Sequence, residues 1–204
     1  MTDFDATTDH IDDLSRILGY QDAAAEIGDR DARLIGPEMI AVPFWTPSFC
    51  AAVIRAAELV GGFSESADDP VPGQEISLMG ISQRLFYAVE NDIGQRLWPV
   101  LNEWWPAIDY HGLRDAFVIK YSMAAQRELR LHHDVAQVSA SIKLNNDYTG
   151  AELRFPRQDT TNAGLGVGEL LAWPSLVTHP HETAPLLSGT KYALTIWCEL
   201  PTFE

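Results

Sequence analysis

The spacing of apolar residues along the chain changes from a helical period in the first half to a strand period in the second. Over residues 10–27 and 47–60, apolar positions recur at helical spacing, which predicts two amphipathic helices. A third helical stretch covers residues 80–105. Its apolar stripe, which we expect to face the core, consists of Leu85, Phe86, Val89, Ile93, Leu97, Val100 and Leu101.

Residues that begin, end or break helices mark the bounds of these stretches. Thr46 is suited to cap the helix over residues 47–60, Pro47 occupies its first turn, and the glycines that follow Val60 end it. Pro99 lies inside the third stretch. Because proline lacks the backbone N–H that an α-helix needs, we expect a kink or break near Trp98.

From Ala116 onward, apolar and polar residues alternate or form short runs between turn residues, as strands do. One further strand lies between the first two predicted helices. The predicted strands cover residues 39–42, 117–121, 138–144, 152–155, 169–173, 177–179 and 191–199. Helices followed by about seven or eight strands indicate an α+β fold, in which the helices pack on one sheet of a β-sandwich or barrel.

The length of 204 residues is that of one domain. We therefore predict a single domain over residues 1–204, in which residues 1–38 form an N-terminal helical extension and residues 39–204 hold the other helices and the β core. Residues 63–74 form a polar loop rich in proline and glycine. Such a loop is either a connector or a lid.

Composition excludes several classes of protein. The net charge of −15 would repel the phosphates of nucleic acid and anionic lipid. There is no apolar run of about eighteen residues, as a membrane span requires. The N-terminus lacks the pattern of a signal peptide. The two cysteines, Cys50 and Cys198, are far apart and indicate free thiols, so we expect a cytoplasmic protein.

The segment His132-His133-Asp134 contains candidate metal ligands. Side chains at positions i and i+2 of a strand point to the same face, whereas neighbouring side chains diverge. Strand geometry therefore pairs His132 with Asp134. His133 is expected to point away and to have a packing or supporting role.

A second histidine pair, His179 and His181, could complete the site. Both would share one face of a strand, so geometry alone leaves the choice open. Two imidazoles and one carboxylate bind Fe(II) on one face and leave positions for a bidentate cosubstrate and O₂.

Lys191 follows His181 by ten residues. An antiparallel return would bring Lys191 beside the metal strand, where it could bind the far carboxylate of a 2-oxo acid.

Together these segments resemble the Fe(II)/2-oxoglutarate-dependent dioxygenases, within them the prolyl and lysyl hydroxylase branch, and most of all the procollagen lysyl hydroxylases. Shared features are a tyrosine eleven residues before the first ligand, a His-His-Asp segment, a His-Glu-x-x-Pro segment and a basic residue ten positions after the last histidine. The matching positions here are Tyr121, His132, Asp134, His181, Pro185 and Lys191.

The resemblance implies a double-stranded β-helix, or jelly-roll, that binds Fe(II) through His132, Asp134 and His181. It also implies that Tyr121 and Lys191 hold the distal carboxylate of 2-oxoglutarate, with O₂ as the oxidant and ascorbate as the reductant in vitro. Lys191 replaces an arginine that is usual in this branch. Ser141 is at the position of an asparagine that contacts the cosubstrate in lysyl hydroxylases. Related halogenases have glycine or alanine in place of Asp134, so the carboxylate favours hydroxylation.

The substrate is less well defined. Because the chain is short, we expect an oxygenase that hydroxylates an unactivated C–H bond of a small molecule, such as a free or carrier-bound amino acid or a natural-product intermediate. The alternatives are hydroxylation of a peptide or protein side chain, a non-catalytic jelly-roll binding module, and a cupin-type metalloenzyme that needs no cosubstrate. Arg127, Arg130 and Arg154 are candidates for a substrate carboxylate. The sequence does not predict the oligomeric state.

Overall fold

The computed structural model describes residues 31–64 and 73–201. The predicted helix over residues 10–27 and most of the loop over residues 63–74 lie outside these segments. No helix within the described segments is long and apolar enough to cross a membrane. The end of the predicted helical extension is a strand instead, Arg33–Gly36, which pairs with the strand that follows it.

The first described helix, α1, spans Pro47–Val60, as predicted. The hydroxyl of Thr46 accepts a hydrogen bond from the backbone N–H of Phe49 at 3.3 Å, so Thr46 is the N-cap. Gly61 ends the helix with a φ of 67°. The cap signals in the sequence therefore identified both ends of α1.

The third predicted helical stretch consists of several helical pieces: α2 Leu78–Ile81, α3 Gln83–Asp92, a π-helical turn at Ile93–Leu97, and α4 Trp98–Trp104. The seven residues of the apolar stripe are all buried.

The α2–α3 break comes at Ser82, whose hydroxyl caps α3. Pro99 lies in the first turn of α4, two residues after the end of the π turn. Because Pro99 has no N–H to continue the backbone hydrogen bonds, the predicted break corresponds to this change of helical pitch, after which the helix continues.

Within the described residues, twelve strands form antiparallel sheets. The strands are β1 Arg33–Gly36, β2 Met39–Pro43, β3 Glu75–Ser77, β4 Leu113–Ser122, β5 Leu129–His132, β6 Val138–Lys143, β7 Tyr148–Gly150, β8 Leu153–Phe155, β9 Thr160–Thr161, β10 Glu169–Pro174, β11 His181–Thr183 and β12 Leu186–Cys198. Seven of them follow one another across the large sheet in the order β1-β2-β10-β6-β12-β4-β3, and β7 pairs with β12. The small sheet has the order β5-β11-β8-β9.

The two faces of the large sheet have different roles. On β4, Val118 belongs to the main hydrophobic core that includes the helices, whereas Phe117 and Ile119 line a cavity on the opposite face. The same alternation on β12 puts Leu194 in the core and Thr195 in the cavity wall. This confirms the predicted α+β architecture.

One predicted strand is absent. Residues 177–179 were expected to be extended, but Leu176–Thr178 form a 3₁₀ turn. The hydroxyl of Thr178 donates to the carbonyl of Ser175 and closes the turn. Pro180 follows immediately and has no N–H to pair in a sheet, so the next strand starts only at His181.

Gly168 provides a stability test of this fold. It has a φ of 86°, and a Cβ at this position would overlap the backbone oxygen of Trp45. Gly168→Ala is therefore expected to lower the free energy of unfolding by more than about 2 kcal/mol in urea denaturation. Gly164→Ala is the matched control because nothing lies within 4 Å of the added methyl group. Equal stability of the two variants would contradict the close approach of Gly168 to Trp45.

Candidate metal and cosubstrate site

The predicted ligands His132, Asp134 and His181 come together in one cluster. His132 ends β5, His181 begins β11, and the two residues are directly paired across the small sheet. Asp134 lies two residues beyond the end of β5. Its two carboxylate oxygens are each 3.6 Å from an imidazole nitrogen, Nε2 of His132 and Nε2 of His181. One potential ligand atom from each residue lies within 4.8 Å of the others.

Backbone carbonyls fix the orientation of both imidazoles. Nδ1 of His132 is 2.8 Å from the carbonyl oxygen of Arg130, and Nδ1 of His181 is 3.1 Å from that of His179. A carbonyl oxygen only accepts hydrogen bonds, so both Nδ1 atoms carry the proton. Both Nε2 atoms are therefore unprotonated, which is the tautomer that binds a metal through Nε2.

Asp134 is buried and is held by hydroxyl groups. The hydroxyl of Ser139 donates to Oδ2 of Asp134 at 2.6 Å. Because the Ser139 hydroxyl proton is used in that hydrogen bond, the Ser175 hydroxyl, whose oxygen is 2.7 Å from the Ser139 oxygen, donates to Ser139. Burial acts to raise the pKa of the Asp134 carboxyl, but the neighbouring histidines and the Ser139 hydroxyl hold that pKa below its ordinary value.

The pKa of the His181 imidazole is lowered, first by burial and also by the nearby His132 imidazole. Asp134 opposes this shift but does not reverse it. The site thus combines an ionised carboxylate with a neutral imidazole at His181, and these are the protonation states that bind a divalent metal.

The other two histidines of these segments are not part of the cluster. His179 is buried, with Nδ1 3.0 Å from the Thr178 hydroxyl and Nε2 3.1 Å from the carbonyl oxygen of Pro37, so it joins its loop to the β1–β2 turn. His133 is exposed and lies at the cavity wall. The pairing of His132 with Asp134 agrees with the sequence argument, although Asp134 is beyond the strand.

The cavity beside the cluster has a volume of about 310 Å³, which is within the range of small-ligand sites. Its wall includes the three clustered residues and the predicted cosubstrate contacts Tyr121, Ser141 and Lys191. The cavity therefore connects all six predicted site residues.

Lys191 is a buried cation at the base of this cavity. Its side chain is 4% exposed, its Nζ donates to the carbonyl oxygen of Ala151 at 2.8 Å, and Nζ is 4.9 Å from the centre of the Tyr121 ring. Burial, together with the nearby Lys143, lowers the pKa of Lys191 to about 7.

The phenol of Tyr121 is 3.0 Å from the hydroxyl of Thr183. Burial raises the pKa of Tyr121, so the phenol stays neutral and can donate.

The route by which Lys191 reaches the site differs from the sequence prediction. We expected β12 to return beside the strand that carries His181. Instead β12 pairs with β4 in the large sheet, where Lys191 is opposite Tyr121. Lys191 and the clustered ligands thus approach the cavity from facing sheets. The length of β12, Leu186–Cys198, allows it to cross the whole cavity.

The arginines that were predicted to meet a substrate carboxylate are not in the cavity wall. Arg127 donates to the carbonyl oxygen of Leu186, Arg154 is exposed and pairs with Glu152, and Arg130 is exposed. The cavity is lined instead by polar residues that were not among the predicted site residues: Glu75, Arg114, Asp115, Thr183, Thr195 and Trp197.

Strand parity contained a signal for some of these residues. Asp115 has the parity of Tyr121 on β4, and Trp197 has the parity of Lys191 on β12. Extending the strand predicted over residues 117–121 would have placed Asp115 on the cavity face, and Trp197 already belongs to the strand predicted over residues 191–199.

The donor set suits Fe(II). Two imidazoles and one carboxylate hold one side of the ion, and the cavity lies on the other side. No carboxylate among the described residues forms an ion pair with Lys191, so this buried cation suits an anionic cosubstrate, which would supply the missing carboxylate. The residues present therefore fit both the metal and the cosubstrate that the resemblance implies.

Sequence comparison finds relatives among collagen-modifying enzymes. A mimivirus protein (Acanthamoeba polyphaga mimivirus) described as a procollagen lysyl hydroxylase and glycosyltransferase is 28% identical over 181 residues, which cover 81% of this chain. Human procollagen-lysine,2-oxoglutarate 5-dioxygenase 2 is 38% identical over 79 residues, or 37% of this chain. The chain spans only about a fifth of the length of the mimivirus relative, 20%. No family model matches the chain.

Solved structures share the fold. A viral collagen prolyl hydroxylase from Paramecium Bursaria Chlorella virus-1, in complex with 2-oxoglutarate, superposes with a TM-score of 0.62 and 17% identity, covering 81% of this chain and 97% of that one. A prolyl-4-hydroxylase from Pseudomonas putida gives a TM-score of 0.58 and 19% identity, with 81% and 94% covered. The jelly-roll prediction and the resemblance to the Fe(II)/2-oxoglutarate-dependent dioxygenases are confirmed.

Ser139 is expected to position Asp134 for metal binding. Ser139→Ala removes the hydroxyl that orients Oδ2, and the loss of such a supporting hydrogen bond typically weakens metal affinity about 10- to 100-fold. Titration with Mn(II) and the absorption spectrum of the Co(II) form would measure this effect. Ser188→Ala removes a hydroxyl that bonds only Thr149 on the surface, so this control should bind metal normally. Equal affinity of both variants would contradict the role of Ser139.

Proposed function

We propose that this chain is an Fe(II)- and 2-oxoglutarate-dependent hydroxylase that acts on an amino-acid side chain of a peptide or protein. The observation that carries the proposal is the common cavity. Two histidines with unprotonated Nε2 atoms and a carboxylate share that cavity with a buried lysine suited to a carboxylate. A binding module without turnover has no use for this combination.

In the proposed reaction, His132, Asp134 and His181 hold the iron, and Lys191 and Tyr121 hold the distal carboxylate of 2-oxoglutarate. When bound, the iron supplies the oxidation chemistry: O₂, 2-oxoglutarate and a C–H bond give the C–OH product, succinate and CO₂. One oxygen atom of O₂ enters the product and the other enters succinate.

The side chains around the cosubstrate provide charge and exclude water. Lys191 in its ammonium form neutralises the distal carboxylate, and the neutral phenol of Tyr121 can donate a second hydrogen bond to it. The apolar side chains of Phe117, Ile119 and Ala193 form the adjoining wall of the cavity. In such a low-dielectric wall, the attraction between ammonium and carboxylate is stronger than in water.

The comparisons favour a peptide substrate over the small molecule that the sequence analysis preferred. The sequence relatives are named for procollagen lysine, and the structures with the same fold are named for prolyl hydroxylation. None of the relatives named above is described as acting on a free amino acid or a natural product. Hydroxylation of a lysyl or prolyl type of side chain, previously the alternative, is therefore the function that we propose.

Turnover of 2-oxoglutarate tests the proposal. With Fe(II), ascorbate and O₂, the protein should form succinate, and lysyl or prolyl peptides should increase the rate and gain the mass of one oxygen atom. His132→Ala removes one ligand and should abolish both succinate formation and tight Fe(II) binding. His133→Ala, the adjacent exposed histidine, is the control and should retain metal binding. Metal binding without succinate formation under any condition would instead indicate a binding module.

The affinity for 2-oxoglutarate is expected to fall as pH rises above about 7. The carboxylate pairs with the ammonium form of Lys191, whose pKa is about 7 in the free protein. Above that pH the amine must first take up a proton, so each further pH unit weakens binding about tenfold until the pKa of the complex is reached. Titration of the Mn(II) form between pH 7 and pH 9 measures this dependence.

Lys191→Arg is the matched control for this titration. An arginine stays charged throughout the range, so the affinity of this variant should be independent of pH. A wild-type affinity that is also constant between pH 7 and pH 9 would contradict the assignment of Lys191 as the carboxylate partner.

A further inference from the structure

The cavity wall contains a polar pair that the proposed reaction does not use. Asp115 on β4 and Trp197 on β12 lie opposite each other in the large sheet, and both line the cavity. On its other side Trp197 is paired with Ser139, the residue that hydrogen-bonds Asp134. The pair is therefore at the level of the metal ligands, six residues along β12 from Lys191.

The arrangement of strands places Asp115 on the far side of the metal ligands from Lys191 and Tyr121, the proposed cosubstrate contacts. Neighbouring strands are about 5 Å apart, so Asp115 is about 10 Å across the sheet from Ser139. A side chain that presents a C–H bond near Asp134 can thus extend its far end toward Asp115. The cosubstrate contacts Lys191 and Tyr121 occupy the other end of the same two strands.

Asp115 is a carboxylate without an ion-pair partner among the described residues. It is only partly exposed, and burial raises its pKa, although the 2.7 Å hydrogen bond from the backbone N–H of Ala116, the hydrogen bond with the Ser77 side chain and the charge of Arg114 act to lower it. Within residues 31–64 and 73–201, no lysine or arginine forms an ion pair with it. The adjacent Arg114 donates to the carbonyl oxygen of Val135. A bound cation would compensate the charge of Asp115.

Trp197 adds an aromatic ring and an unused donor beside this carboxylate. Its ring packs edge-on against Phe117, with ring centres 4.9 Å apart. The buried indole Nε1 has no hydrogen-bond acceptor in the part of the chain that the structure describes. A ligand in the cavity can provide the acceptor, and an indole ring also attracts a cation placed over its face.

The charge on the cavity wall supports the same class of ligand. A second carboxylate, Glu75 on β3, also lines the cavity. Apart from Lys191 and the histidines, Arg114 is the only basic residue among the described lining residues. The net charge of −15 for the whole chain adds a long-range attraction for cationic peptides.

We infer that Asp115 and Trp197 form a specificity subsite for a cationic side chain, with the Asp115 carboxylate accepting hydrogen bonds from the ammonium group of the side chain that is oxidised. The inference rests on the proposed function and deepens it, because it selects a primary-amine side chain over the neutral proline ring. Asp115 is then the residue that determines this preference.

Matched peptides test the subsite by equilibrium binding, without turnover. Two peptides differ only in one residue, lysine or the neutral norleucine, and are titrated into the Mn(II) protein saturated with 2-oxoglutarate. A charged hydrogen bond at Asp115 corresponds to a preference for the lysyl peptide of about 10-fold or more. Asp115→Asn should remove most of that preference and leave the affinities for Mn(II) and 2-oxoglutarate unchanged.

Asp109→Asn is the control because it makes the same change in net charge at an exposed position outside the cavity wall. It should retain the preference for lysine. The inference is overturned if wild-type protein binds both peptides equally, if Asp115→Asn weakens both alike, or if Asp109→Asn removes the preference as effectively.

A turnover experiment separates the failure of this inference from the failure of the proposed function. Lysyl, norleucyl and prolyl peptides are compared for 2-oxoglutarate-dependent oxygen incorporation. Efficient oxidation of the prolyl peptide, with no effect of Asp115→Asn, overturns the subsite while the hydroxylase proposal stands. If no peptide is oxidised and no succinate forms with Fe(II) present, the proposed function itself fails.

Discussion

The direct pairing of β5 with β11 is the contact on which the site depends. It places His132 opposite His181, and the backbone of the same two segments accepts the Nδ1 protons of both rings. Each ring is thereby fixed in position and in tautomer by the strand that carries it. Asp134 then needs only to enter the space between the two rings, where the Ser139 and Ser175 hydroxyls hold it.

The large sheet provides the rigid support that this small sheet lacks. One face packs against the helices in the main hydrophobic core, which contains Leu97, Leu101, Val118 and Leu194 among many others. The other face carries the proposed cosubstrate contacts and the Asp115–Trp197 pair. Because side chains alternate along each strand, the same ten residues of β4 build the core and line the cavity. Packing of the helices therefore fixes the positions of the site residues on the opposite face.

The helices and most of the strands could be predicted from local patterns. Cap residues such as Thr46 and Gly61 act within one turn, so the sequence contains them in full. Strand parity likewise paired His132 with Asp134, and the structure brings the two side chains together although Asp134 lies beyond the end of β5. Local signals were insufficient where the backbone leaves regular structure, as at the 3₁₀ turn before His179, where a side-chain hydrogen bond and a following proline override an apolar run.

Pairing between distant strands could not be predicted in this way. The position of Lys191 depends on β12 pairing with β4 rather than with β11, and hydrophobic alternation is the same for either partner. The choice of His181 over His179 also depended on family spacing, since both have the parity of one strand face. In the structure the two differ because the hydrogen bonds of His179 reach the β1–β2 turn.

The cavity side of the sheet contains polar groups whose burial costs stability in the absence of ligands. Lys191 is buried with a pKa near 7, and the indole N–H groups of Trp173 and Trp197 have no acceptor among the described residues. A fold selected for stability alone would place apolar side chains there. These polar groups surround one cavity, and the hydrophobic core on the other face of the same strands offsets the free-energy cost of burying them. Their arrangement indicates a surface adapted to ligand binding. This energetic cost supports the proposal that metal, cosubstrate and substrate bind in this cavity.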